Sequence, residues 1–183
     1  MNNKNKTVCI FCASSESVGD HIKTESQRFA RILAESGFSL LYGGTTCGLM
    51  KIVADAHKQA GGNLIGVIPQ YMVDKGIKHQ QLNQLYAVED LSERKQVMLE
   101  RSDYIVSLPG GVGTFDEFFS LLTLKQLQRH KKPMYLLNIG NFYQPMMDLM
   151  QHGIENKTID SETIKLFKVV DTASDLLQEI LSS

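Results

Sequence analysis

The chain has 183 residues, 43% hydrophobic and 21% charged. That is close to the globular average and excludes collagenous, disordered and mini-protein classes. Nineteen Lys+Arg against 20 Asp+Glu give a formal charge of -1, so the broad basic footprint demanded by nucleic acid or an anionic membrane is missing, and only a local basic pocket stays open. The length suits one domain over residues 1–183, able to bury a core without staples.

Residues 1–6 are polar, and the apolar run after them, 8–13, is only six residues long, too short for the core of a signal peptide. No stretch approaches bilayer-spanning length. The expectation is a cytoplasmic protein whose three cysteines are reduced. From there, short apolar runs alternate with longer amphipathic stretches, without repeat, linker or low-complexity tract. Strands are expected over 7–13, 38–42, 64–68, 104–108, 134–138 and 167–170, and helices over 20–36, 48–60, 91–101, 114–129, 142–152 and 173–181. This is βαβ order, and near-continuous apolar strands imply a parallel sheet covered on both faces: a three-layer, doubly wound α/β fold. Right-handed crossovers then bring every strand-to-helix loop to the carboxyl edge of the sheet, where chemistry is expected. Residues 69–86, with Gly76, Lys75, Lys78, His79, Gln80 and Gln81, have no clear period. They read either as a lid or binding loop or as an irregular surface loop with a helical turn.

Cys9 and Cys12 have the spacing of a dithiol motif. They lie in a strand, however, where residues three apart face opposite sides, so packing is the expected role. Three Cys with scattered His fail the paired spacings of a zinc site, so no metal is expected. His21, His57, His130 and His152 read as surface residues on helices or their ends; His79, in the connection, is a minor candidate.

The strongest local signal is Leu108-Pro109-Gly110-Gly111-Val112-Gly113-Thr114-Phe115-Asp116-Glu117, a glycine-rich turn between a buried strand and a long helix. Such a turn lets backbone N–H groups and the positive helix end approach an anion, which suits phosphate. Position 116 carries Asp where a dinucleotide fingerprint needs its third glycine, and no Gly-Lys-Ser/Thr follows as in a P-loop. Thr114 and Glu117 also match a capping box, and the spacing alone leaves both roles open. Leu91, Arg94, Lys95 and Met98 share one face of the preceding helix. If that face looks inward, its two cations need internal carboxylates or a ligand phosphate; otherwise it is a solvated basic face. The Tyr42-Gly43-Gly44-Thr45-Thr46-Cys47-Gly48-Leu49-Met50 turn and the Cys12-Ala13-Ser14-Ser15 strand end converge on the same edge, which favours a nucleotide-sized crevice.

Ser92-Glu93-Arg94-Lys95-Gln96-Val97-Met98, followed by Pro109-Gly110-Gly111-Val112-Gly113-Thr114-Phe115-Asp116-Glu117, resembles the paired R-K-x-x-M and P-G-G-x-G-T-x-x-E motifs of the Lonely Guy (LOG) family. The resemblance continues through Phe11-Cys12-Ala13-Ser14-Ser15, Gly48-Leu49-Met50, Val67-Ile68-Pro69 and His130-Lys131-Lys132-Pro133. It implies a Rossmann-like homodimer with phosphoribohydrolase activity. Such an enzyme hydrolyses a nucleoside 5'-monophosphate, AMP or an N6-substituted cytokinin nucleotide, to free base and ribose 5-phosphate without a cofactor. By position, Arg94 and Glu117 would be catalytic. Lys95, Gly110, Gly111, Val112, Gly113, Thr114, Phe115, Asp116 and Thr123 would bind the nucleotide with Ser14, Gly43 and Gly44, and Met98 would lie against the base. The chain departs from the family at Thr45, Ser92 and Leu124, where relatives commonly carry Gly, His and Trp. The alternative is a non-catalytic nucleotide or molybdenum-cofactor carrier of the same fold. The label "possible lysine decarboxylase", often given to relatives, finds no pyridoxal phosphate arrangement in the chain.

Overall fold

The computed structural model describes residues 6–183; the polar start of the chain, residues 1–5, lies outside them. Seven strands, β1 (Thr7–Phe11), β2 (Ser39–Tyr42), β3 (Asn63–Pro69), β4 (Gln84–Val88), β5 (Tyr104–Ser107), β6 (Met134–Leu137) and β7 (Lys168–Val170), form one sheet in the order β4-β3-β2-β1-β5-β6-β7. Every pairing is parallel. The helices are α1 (Asp20–Glu35), α2 (Gly48–Gln59), α3 (Gln70–Asp74), α4 (Leu91–Glu100), α5 (Val112–Gln126), α6 (Gln144–Glu155) and α7 (Ala173–Ser182).

Side chains alternate across the strands to build two cores. Val8, Ile10 and Cys12 pack on one face with Phe29 and Leu33 of α1, Val53 of α2 and Leu176 of α7. Cys9 and Phe11 pack on the other with Met98 of α4, Phe118 and Leu122 of α5 and Met150 of α6. The sheet is thus the middle of three layers, as the unbroken apolar strands require. Cys9 and Cys12 fall in opposite cores, both buried and free, and burial pushes the thiol pKa of each up.

Two expectations need correction. The 69–86 segment has the helical turn that one reading of it allowed, the short α3, but its end opens the edge strand β4, which was read as part of the connection. That strand carries Gln84 and two half-buried residues, and an edge strand covered on one side lacks the apolar run by which the inner strands were found. His57 is not a surface residue either; it is fully buried between α2 and α1, its Nδ1 3.0 Å from the carbonyl of Ala30, and burial pushes its pKa down. His130 is half-buried, its Nε2 2.8 Å from the Leu121 carbonyl.

The chain winds outward from β1 to β4, then returns to the other side of β1 at β5. The strand order therefore reverses between β1 and β5, and the crevice at their carboxyl ends is where open α/β sheets bind ligands.

Candidate active site

At that crevice lies a cavity of about 310 Å³, within the size range of small-molecule sites. Among the expected site residues, Ser14, Gly43, Arg94, Gly111, Val112, Gly113, Thr114 and Glu117 line it. They come from four separate carboxyl-edge segments: the end of β1, the turn after β2, α4, and the start of α5.

The start of α5 forms one side of the cavity. α5 begins at Val112, with Gly111 as N-cap, and no side chain caps it. Thr114 and Glu117 therefore do not form a capping box, because Thr114 already stands inside the first turn. Its side chain packs on the turn instead: a Cβ at Gly110 would lie 2.1 Å from Thr114 Oγ1. A Cβ at Gly111 or Gly113 would meet nothing within 4 Å, so the space beside them is not taken by the protein's own packing. The first-turn N–H groups of a helix have no acceptor within it, and the helix dipole adds positive potential there.

One turn further, Glu117 meets Arg94. Their Oε1 and Nη1 atoms are 3.4 Å apart and both side chains are 13% exposed. Arg94 also donates through Nε to the carbonyl of Val67, 3.0 Å away at the end of β3. Gly43 makes room for it, since a Cβ there would lie 2.1 Å from Arg94 Nη2. Burial pushes the Glu117 carboxyl up to about 7, with Arg94 opposing the shift. A carboxylate poised near neutrality in a cleft beside a fixed cation suits acid–base or charge-stabilising chemistry.

The inward-facing reading of α4 holds for Arg94 and Met98 but not for Leu91, which is exposed, and Lys95 meets a carboxylate nearer the surface. Lys95 Nζ sits 2.8 Å from Asp116 Oδ2 and 3.0 Å from Ser120 Oγ. This pair lies outside the cavity. Phe115, Asp116 and Thr123 line a separate groove on the outer side of α5, with Leu124. Met98 is fully buried in the core and does not border the cavity. Gly44 packs against the backbone of Gly66, and Gly110 borders the neighbouring hollow under Pro109. Ser92 is exposed in the first turn of α4.

The rest of the wall is mostly apolar, with Met50, Met72, Ile77 and Leu91 beside Thr45; Thr45 and Met50 belong to the turn after β2 expected at this edge and Leu91 to the expected face of α4, whereas Met72 and Ile77 were not foreseen. Met72 and Ile77 belong to the segment whose missing period suggested a binding loop, the only sign in the sequence. His79 does not border the cavity; it is 4% exposed and 3.0 Å from Asp55. Among the described residues no three His, Cys, Asp or Glu side chains are grouped to hold a metal ion.

A family model described as "Possible lysine decarboxylase" matches residues 50–180. The chain is 33% identical to a cytokinin riboside 5'-monophosphate phosphoribohydrolase of Arabidopsis thaliana, over 96% of this chain and 77% of that protein. It is 37% identical to the enzyme so named from Rhodococcoides fascians, over 81% and 75%. Solved structures of similar fold include the molybdenum cofactor binding protein of Rippkaea orientalis, with TM-score 0.74 and 16% identity over 97% of this chain and 96% of that one. The Moco carrier protein of Chlamydomonas reinhardtii gives 0.73 and 19% over the same shares. At such identities the structural likeness speaks for the Rossmann-like fold alone, whereas the sequence matches reach further: this chain belongs to the Lonely Guy (LOG) family, whose model carries the decarboxylase description.

Proposed function

We propose that the protein is a 5'-phosphoribohydrolase. It hydrolyses the N-glycosidic bond of a nucleoside 5'-monophosphate, AMP or an N6-substituted cytokinin nucleotide, to free base and ribose 5-phosphate. One observation carries this: the buried Arg94–Glu117 pair stands one turn inside a helix whose uncapped amino end opens on the same cavity. The names of the relatives in Arabidopsis thaliana and Rhodococcoides fascians support the same activity.

In this reading the 5'-phosphate accepts hydrogen bonds from the N–H groups of the 111–114 turn, and its binding energy orients the sugar. The base faces the apolar wall of Met50, Met72 and Ile77. As the bond from the anomeric carbon to the base nitrogen breaks, its electron pair leaves with the base and positive charge grows on the sugar. The Glu117 carboxylate stabilises that charge and takes a proton from the water whose oxygen bonds to the anomeric carbon. The departing base takes its proton from solvent, because an arginine pKa is too high to donate one. Arg94 instead neutralises charge moving onto the base and holds Glu117 in register. The step uses water and side chains and calls for no cofactor.

The reading extends to a cytoplasmic homodimer, a single domain over residues 1–183, acting on a small molecule and not on nucleic acid. Among the described residues no helix is long and apolar enough to cross a membrane. Val112 and Leu127 at the two ends of α5, with Phe119 between them, are 83%, 63% and 38% exposed, an apolar edge suited to a second copy.

Chromatographic detection of free base across a nucleotide panel tests the assignment. Wild type should release base from AMP or an N6-substituted relative, and Glu117→Gln and Arg94→Ala should each lose on the order of 100-fold or more. A folded variant retaining near wild-type rate would overturn the residue roles. A nucleotide that stays bound and intact on the wild-type protein would return the carrier reading.

A further inference from the structure

His79 is the histidine that the catalytic site leaves unexplained. It is 4% exposed although it sits in the irregular stretch between α3 and β4, and burying a polar ring there needs a reason. Both ring nitrogens and the backbone N–H are engaged. Its Nδ1 accepts from the backbone N–H of Gln81 at 3.1 Å, which places the ring proton on Nε2, and Nε2 donates to Asp55 Oδ1 of α2 at 3.0 Å. Its backbone N–H donates to the Gly44 carbonyl at 2.9 Å, and its ring meets Tyr42 edge-on at 6.4 Å.

The neighbours of His79 are stitched to the same turn. Thr46 N–H donates to the Ile77 carbonyl at 3.0 Å, and Thr45 and Lys78 form an isolated antiparallel bridge. The segment so fastened carries Met72 and Ile77, two side chains of the apolar cavity wall. Its far end is fixed to β3, where Asn83 exchanges hydrogen bonds with Leu64 at 2.9 Å and Leu82 packs on the core, but α3, which carries Met72, has no buried residue. A segment with few buried contacts opens locally at low cost, so one buried side-chain bond weighs heavily on its closed population.

We propose that His79 is a positioning residue: it latches the 70–83 segment to α2 and to the Gly44-Thr45 turn, and thereby holds the Met72–Ile77 wall against the base of the nucleotide. The assignment of that wall to the base rests on the hydrolase reading. Substrate affinity then depends on His79 although it never touches substrate, because apparent affinity falls in proportion to the closed fraction.

The test compares wild type, His79→Ala and His79→Gln by steady-state kinetics with AMP, inhibition by ribose 5-phosphate and amide hydrogen exchange of the free protein. Losing a hydrogen bond to a charged acceptor should raise the KM of His79→Ala about tenfold, with kcat within about twofold. Inhibition by ribose 5-phosphate, which has no base to meet the wall, should change less than about twofold. Exchange should quicken in residues 70–83 and stay unchanged in β1 and β5. His79→Gln, whose amide can reach Asp55, should recover most of the KM. An unchanged KM and unchanged exchange in His79→Ala would overturn the proposal. So would weakened ribose 5-phosphate inhibition with faster exchange throughout the sheet, which marks general destabilisation. Absence of base release by the wild type would count against the hydrolase reading alone, and exchange over 70–83 would then still decide the latch.

Discussion

Gly43 leaves the room in which the Arg94 guanidinium lies. An added methyl would collide with the far end of a flexible side chain, 2.1 Å from Nη2, so the fold can yield by moving the arginine. Gly43→Ala should therefore cut turnover at least about tenfold while costing under about 1 kcal/mol of stability; paired activity and thermal unfolding measurements check this. The Glu117 carboxyl, raised from 4.5 to about 7 by burial, adds a pH signature. Between those values the folded state keeps a proton that the unfolded chain has released, so stability falls as pH rises. Urea midpoints should thus drop from pH 5 to pH 8 in wild type by more than in Glu117→Gln. The difference should be on the order of 3 kcal/mol at most, at about 1.4 kcal/mol per pH unit. That Arg94 and Glu117 line the cavity was legible because a motif names them, and that the 111–114 turn does so because glycines cluster after a strand. The Met72 and Ile77 part of the wall was not: both lie in a stretch without a period, and only the tertiary fold brings them to the turn after β2.

Among the elements, inner strands and long helices were legible within a few residues, since burial on both faces or on one stripe writes a period into the chain. The edge strand β4 and five-residue α3 lack such a period, and tertiary pairing made them. The start of α5 was misplaced by two residues, 114 against Val112, because glycines there read as turn. The helix cap lies elsewhere: Asp90 accepts from Ser92 and Glu93 N–H at 2.8 Å, and Glu93 reaches back to the Glu89 N–H at 2.6 Å. A cap spent on α4 orders the helix that delivers Arg94, while α5 keeps its amino end free for an anion. Asp90→Ala should cost about 0.5–2 kcal/mol, read by chemical denaturation. Along α5 itself, Phe118, Leu121 and Leu122 enter the core while Phe119 and Leu127 remain exposed, an apportioning the uniformly apolar sequence concealed.

For the molecule as a whole, the reversal of strand order between β1 and β5 gathers loops distant in sequence around one crevice. The sheet supplies rigidity there, the uncapped helix supplies positive potential, and Arg94 and Glu117 supply a charge pair shielded from water. In the proposed function each serves a substrate bearing an anion at one end and a cleavable sugar bond in the middle. The most direct measurement is kcat/KM for AMP against adenosine, in wild type and in Glu117→Gln. Wild type should favour AMP by at least about 100-fold, and the substitution should suppress release from AMP. Equal turnover of both nucleosides, or turnover of AMP that survives loss of the carboxylate, would contradict a phosphate-anchored hydrolysis at this site.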